Sequence, residues 1–310
     1  DRHQRLLQKS KEGNGGDRIP ADPCLETVAL ILQKKLPLVL EADTSTEIHR
    51  ALDFAEEFKI TVIISGGRDA WKVKDRLASS KVPVLLKLAF SEAPEKEKEI
   101  PPLAKLERER QRKEEVACAH ALQTAGVKIA LSTNGIIGDK PTEKWRANLQ
   151  KALQAGLTQE AALTALTLQG AEILGVSAQV GTLEVGKYAH LQVTTTDPLN
   201  PDAQTKFLFI DGMKYEYEVA KKDPPKIPPV EKKAEVIEPK VDQEIETEAD
   251  RKPKLQTKGS VIFRNATIIT CGKEGTITNG EIEVVDGKIK YVGPARIREQ
   301  PIDPKVIDLG

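Results

Sequence analysis

The chain has 310 residues, 30% of them charged and 39% hydrophobic, which is enough for two domains and a sizeable core. Lys plus Arg equals Asp plus Glu at 47 each, and the charges are mixed locally, as in Glu95-Lys96-Glu97-Lys98-Glu99; neither a global field nor a basic stripe points to nucleic acid. Three scattered cysteines, Cys24, Cys118 and Cys271, lack a CxxC spacing and argue against a disulfide framework or a structural zinc site, and no apolar run reaches the roughly 18 residues of a membrane span.

Residues 1–22 read as a polar, Gly-rich loop after a short helical start, without the apolar core of a signal peptide. Residues 25–35 follow as a helix with Pro23 near its first turn. The apolar run 36–40 reads as a buried strand. Thr44 and Glu47 have the spacing of a capping box, and Ile48, Leu52, Ala55 and Phe58 fall on one face of the helix that follows. Residues 60–64 form a second strand that ends at Gly66-Gly67, 70–78 a helix, and 82–88 a third strand. Short apolar strands alternating with amphipathic helices imply parallel βα units. The charged stretch 91–115, helical in its later part, has the character of a lid or surface excursion. Residues 117–124 are helical and closed by Gly126, and 127–131 form a fourth strand. A helix over 142–155 puts Trp145, Leu149 and Ala152 on one side. Thr158 caps a last helix that runs to Gly175.

Beyond Gly181 the pattern becomes β. Strands are expected at 189–194, 207–210 and 214–218, with Asp211-Gly212 as a hairpin turn. Residues 220–258 hold six prolines, ten Lys/Arg, nine Asp/Glu and no aromatic residue. Such a composition buries too little surface to offset chain entropy and reads as a flexible charged linker. Strands follow at 260–270, 281–285 and 288–292, the last two joined by Asp286-Gly287.

Three segments carry a family resemblance. One is the passage from the 158–175 helix into Gly181-x-Leu183-Glu184-x-Gly186-Lys187-x-Ala189-x-Leu191. Another is the closing strand around 206–216. The third is 260–310, with Asn265-Ala266-Thr267 and Asp286-Gly287-Lys288-Ile289. Together they resemble the amidohydrolase superfamily: metal-dependent hydrolases of the imidazolonepropionase and dihydroorotase kind, built on a TIM barrel with a small β-sandwich. The resemblance implies an α/β fold, a partial TIM barrel (its second half, strands five to eight) plus β-sandwich strands from two amidohydrolase-like units. Residues 1–175 would be the C-terminal half of a barrel and 176–219 its closing β-sandwich strands. Residues 220–258 would be the linker and 259–310 the opening strands of a second unit. Closing strands precede opening strands, so the chain is expected to be a piece of a tandem protein, with 189–218 and 260–292 in one sandwich.

Barrel enzymes carry their chemistry at the C-terminal ends of the strands. The resemblance implies histidines after strands five and six and an aspartate after strand eight, holding a divalent ion that lowers the pKa of its water. At those places this sequence has Glu41 with Asp43, Ser65 or Gly66, and Asn134. An amide cannot serve as a general base. Glu41, Asp43, Ser65, Gly66 and Asn134 are therefore candidates for a vestigial pocket, with no confident catalytic residue and no metal in this chain; a zinc-like divalent metal would belong to the parent protein. Asp43 also reads as support for the following helix N-terminus, and Glu41 with Asp43 as paired carboxylates for acid/base work. The 66–71 turn reads as a phosphate-binding turn or, with greater weight, as a βα turn capped by Asp69 with Trp71 packed. No histidine is placed to activate Ser132. His3 is terminal, His49 and His120 are helical and His190 lies in the β region, with no His-x-His spacing.

The function these readings imply is that of a catalytically degenerate part of an enzyme that hydrolyses C–N bonds of cyclic amides or dipeptide-like substrates. The alternative is a binding or scaffold module that supports a second, active barrel. A third reading joins Glu41 and Asp43 to histidines from upstream as an unusual ligand set. The implied partners are the second amidohydrolase-like unit of the same protein and the parent's small-molecule substrate, with no nucleic acid and no membrane. The protein is expected to be soluble, in cytoplasm or periplasm.

Overall fold

The computed structural model describes residues 22–91, 101–211, 213–219, 255–256, 260–296 and 305–309. The expectations for 1–21 (His3 included), for 92–100 of the charged insertion, for Gly212 and for 220–254 and 257–258 of the linker lie outside the described residues. The chain divides into two units, 1–177 and 178–310.

In the first unit, α1 (Pro23–Leu32) starts at Asp22, whose carboxylate accepts from the N–H groups of Cys24 (3.0 Å) and Leu25 (3.2 Å). Then come β1 (Leu38–Ala42), α2 (Ser45–Phe58), β2 (Val62–Gly66), a 3-10 turn (Ala70–Val73), α3 (Lys74–Ser80), β3 (Val84–Lys87), α4 (Pro102–Val116) and α5 (Cys118–Thr124). The unit ends with β4 (Ile129–Ser132), α6 (Pro141–Gln154), α7 (Gln159–Leu166) and α8 (Leu168–Ile173). The four strands form one parallel sheet in chain order. Parallel strands need crossover connections, and the intervening helices supply them.

The capping box forms as the spacing predicts. Thr44 Oγ1 accepts from Glu47 N–H at 3.3 Å, and Glu47 Oε2 accepts from the N–H groups of Thr44 and Asp43, each at 2.9 Å. Ile48 and Leu52 are buried, whereas Phe58 at the end of the expected face is exposed. On the sheet, Val62, Ile64, Val84, Leu86 and Ile129 are buried. The alternate residues Ile63 and Ala130 pack with Ile173 of α8 and with Leu85. Gln169 of α8 satisfies a strand-edge donor, its Oε1 accepting from Ile129 N–H at 2.9 Å.

Two helices differ from expectation. The one starting at Thr158 breaks at Thr167, which has φ −129° and ψ −89°. Thr164 and Thr167 hydroxyls donate to the carbonyls of Glu160 (2.6 Å) and Leu163 (2.7 Å), and such back-bonding bends helices. The helix expected over 70–78 opens as a 3-10 turn and becomes α-helical only at Lys74.

The second unit holds β5 (Leu191–Thr194), β6 (Thr205–Ile210), β7 (Met213–Glu216), β8 (Leu255–Gln256), β9 (Val261–Ile269), β10 (Thr276–Val285), β11 (Lys288–Pro294) and β12 (Lys305–Asp308). They form two four-stranded sheets, β5-β6-β7-β8 and β11-β10-β9-β12, antiparallel except that β12 runs parallel to β9. Leu191, Phe207 and Phe209 from one sheet and Val261, Phe263, Ile268, Ile282, Val284 and Ile289 from the other make a single core. The rings of Phe209 and Phe263 meet edge to face, 4.9 Å between centroids.

The Gly-x-Leu-Glu-x-Gly-Lys-x-Ala stretch has a physical role here. Leu183 N–H donates to Thr270 O, Gly186 N–H to Ile289 O and Ala189 N–H to Gly287 O, each at 2.8 Å, and Ile289 N–H returns to Lys187 O at 3.0 Å. Lys187 Nζ donates to Thr182 Oγ1 at 2.5 Å and pairs with Glu184 at 3.2 Å. The motif is thus an irregular strand fastened along β11. Asp286 and Gly287, with φ 50° and 73°, turn β10 into β11. The largest departures from the sequence reading are that β10 starts at Thr276 and not at 281, that β12 was not expected, and that β8 lies inside the span read as linker. Among the described residues no helix is long and apolar enough to cross a membrane.

Candidate functional site at the strand ends

The parallel sheet aligns the C-terminal ends of its strands. Glu41 stands opposite Ser65, Ala42 opposite Gly66, and Lys87 opposite Ser132. Side chains alternate along a strand, so Glu41, Ser65, Lys87 and Ser132 share the face that also carries Ile63 and Ala130.

Asp43 lies one residue past β1. Its backbone is fixed by the turn after β2: Gly67 N–H donates to Ala42 O (2.9 Å) and Asp69 N–H to Asp43 O (2.8 Å). Lys87 Nζ donates to Asp43 Oδ2. The two side chains are 17% and 26% exposed, lysine first. Asp43 Oδ1 is buried and has no hydrogen-bond partner among the described residues. It lies against Gly66, where a Cβ would come within 2.6 Å of it, and Gly66 has φ +110°. A side chain at 66 is therefore excluded both by contact and by backbone conformation. On the other flank, a Cβ at Gly135 would stand 3.6 Å from Lys87 Cδ and 3.2 Å from Ala89 Cβ.

The structure thus brings Asp43, Gly66 and Lys87 together, with Glu41 and Ser65 as neighbours in register. Glu41 and Asn134 are exposed and Ser65 is half-buried; Asn134 is tied locally, its N–H donating to Ser132 Oγ at 3.1 Å. Asp43 does not support the helix N-terminus, a correction to the sequence reading: the cap is Thr44 with Glu47, and the Asp43 carboxylate turns to Lys87. Asp69 is likewise not a cap, because its carboxylate takes Lys72 Nζ at 2.9 Å. Trp145 is half-buried, its Nε1–H donating to Ser132 O at 3.2 Å. His49 meets Arg76 (Nδ1 to Nη1, 2.9 Å), His190 meets Asp211 (3.0 Å), and His120 is exposed.

Sequence reasoning missed Lys87 and Asn148. In Val82-Pro-Val-Leu-Leu-Lys-Leu88, the lysine is the one polar residue at a strand end, and its parity with Ser65 was the available signal. Asn148 is 4% exposed; its Nδ2 donates to Leu88 O at 2.6 Å and fastens α6 to the exit of β3. Beneath the Gly66-Gly67 turn, Cys118 Sγ approaches Gly67 O at 3.6 Å, and burial pushes its thiol up to about 12.

A divalent metal does not fit this set. Protonated lysine is donor-only, glycine offers no ligand, and one Asp43 oxygen is already taken by an ammonium. Among the described residues, no three His, Cys, Asp or Glu side chains are grouped to hold a metal ion.

The sheet and the strand-end set define an α/β protein whose polar groups gather at the carboxyl edge of parallel strands. Residues 72–215 match the amidohydrolase family. Over 74 residues the chain is 39% identical to an imidazolonepropionase of Sphingopyxis alaskensis, a stretch that is 24% of this chain and 18% of that protein. A crystal structure of an amidohydrolase from Thermotoga maritima aligns with a TM-score of 0.56 at 24% identity, covering 69% of this chain and 53% of that one. The chain thus resembles the amidohydrolase family over residues 72–215, a little under half of its length. It spans about half the length of the solved relative it matches.

Proposed function

We propose that the chain is part of a tandem amidohydrolase-type protein that hydrolyses C–N bonds of cyclic amides or dipeptide-like substrates, and that its parallel unit is catalytically degenerate. In this reading β1 to β4 are strands five to eight of a TIM barrel. The two sheets of the second unit form a composite β-sandwich, from the closing strands of one amidohydrolase-like unit and the opening strands of the next. Catalysis and its divalent metal reside in a second barrel of the same protein. The observation that carries the reading is the Asp43–Lys87 pair packed against Gly66: where the family resemblance puts metal-binding histidines, this chain has a carboxylate taken by an ammonium from β3 and a bare backbone. Without a metal-activated water the set has no nucleophile, Asn134 cannot accept a proton, and Asp43 is held by Lys87.

Hydrolysis of a panel of cyclic amides and dipeptides by the purified chain, supplied with zinc, manganese or cobalt, tests this. Turnover no greater than that of the metal-only blank is expected. Turnover that is abolished by Asp43→Asn would overturn the degenerate reading.

A further inference from the structure

Resting on that reading, we infer that the Lys87 ammonium is the built-in cation of the strand-end site, holding by a covalent tether the place and the charge that a divalent ion supplies in a metal-dependent relative. An ordinary surface ion pair carries no such meaning, since exposed pairs contribute little. This pair differs in its setting. Asp43 Oδ1 is buried without a hydrogen-bond partner among the described residues, so the carboxylate depends on the group at its other oxygen. A buried charge is costly unless paired. That group is Lys87 Nζ, which arrives from the last residue of β3, two strands away in the sheet.

The main chain closes on the pair from both sides. Gly66 approaches the carboxylate and Gly135 the lysine stem, each at a position where φ is positive, +110° and +77°. Glu41 lies on the same face, one register row behind, so the strand ends hold two carboxylates and one ammonium from this set. A dication entering here meets a fixed like charge at contact distance from its best ligand. Removing the ammonium reverses that balance and leaves Glu41 and Asp43 facing an opened space. A tethered charge also cannot be stripped by a chelator.

The test is thermal unfolding of the full chain as wild type, Lys87→Ala, Lys87→Arg, Asp43→Asn and the Asp43→Asn/Lys87→Ala double variant. Each is measured alone, with magnesium, manganese or cobalt, and with a chelator. The wild-type midpoint is expected to ignore both cation and chelator. Lys87→Ala is expected to melt lower and to recover part of the loss with a dication, while the double variant does not respond and Lys87→Arg stays close to wild type. If Lys87→Ala does not fold, Lys87→Met keeps the stem packing, and an Asp43→Asn/Lys87→Met double more stable than Lys87→Met alone supports the same role. A Lys87→Ala protein as stable as wild type, or one no more responsive to dications than the double, overturns the built-in cation while leaving the degenerate reading intact. A wild type that gains stability from a dication and loses it to chelator overturns both.

Discussion

Replacing Phe263 by alanine removes a side chain only 2% exposed at the centre of the second unit's core, including its edge-to-face contact with Phe209. A buried Phe→Ala change costs about 3–5 kcal/mol. The site cannot collapse easily, because Val261, Ile282 and Val284 are themselves fixed on paired strands. A loss of about 4 kcal/mol lowers the midpoint of a domain of this size by roughly 10–20 °C. The chain carries its own reporters: all four tyrosines (188, 215, 217 and 291) lie in 178–310, and both tryptophans (71 and 145) in 1–177. Tyrosine absorbance should therefore show an early transition in Phe263→Ala while tryptophan emission keeps its wild-type midpoint. Phe209→Ala, on the other sheet, should move the same tyrosine transition. A tyrosine shift corresponding to less than about 1 kcal/mol would refute the shared core, since a buried ring cannot be lost from it at so small a cost.

Thr44→Ala removes one side of the capping box and should lower the stability of the first unit by about 1 kcal/mol, read from tryptophan emission in urea. The Glu47 carboxyl is held below its ordinary 4.5 by the backbone N–H groups of Thr44 and then Asp43. Its contribution is therefore present above that value and lost as pH falls below it, and Glu47→Gln should flatten the acid side of the stability profile. Cys118, buried and with its thiol pushed up to about 12 from 9.0, should resist alkylation at neutral pH while exposed Cys24 is modified; mass spectrometry of the native protein reads both. The stability tied to the protonated Cys118 thiol holds below about 9 and is lost as pH rises toward 12. Asn148→Ala leaves the buried Leu88 carbonyl without its partner and should cost about 1–3 kcal/mol in the tryptophan transition.

The elements most legible in the sequence were those set by local chemistry. The Thr44–Glu47 box, the short apolar strands β1 to β4 and the Asp286-Gly287 turn each follow from a few adjacent residues. What escaped was set at a distance. Residues 159–174 read as one helix despite Thr164, Thr167 and Gly170, and the two threonine hydroxyls bonding back to Glu160 and Leu163 mark the break at Thr167. Asn279-Gly280 looks like the end of a loop, yet β10 runs through it by irregular register against β9. β8 and β12 are short segments that become strands because β7 and β9 offer edges to pair with. At the strand ends, Asp43 was assigned by its neighbours Thr44 and Ser45, while its actual partner lies 44 residues further along the chain. Glu41, Gly66 and Asn134 were readable one at a time; Lys87, which pairs with Asp43, belongs to a strand with no expected ligand.

The most direct test of a metal-free strand-end centre is elemental analysis of the full chain after incubation with excess zinc or cobalt and removal of the unbound ion, beside Asp43→Asn treated in the same way. With Lys87 as the cation, wild type and variant should both retain only trace, substoichiometric metal. One metal ion retained per wild-type chain, and lost in Asp43→Asn, would contradict it.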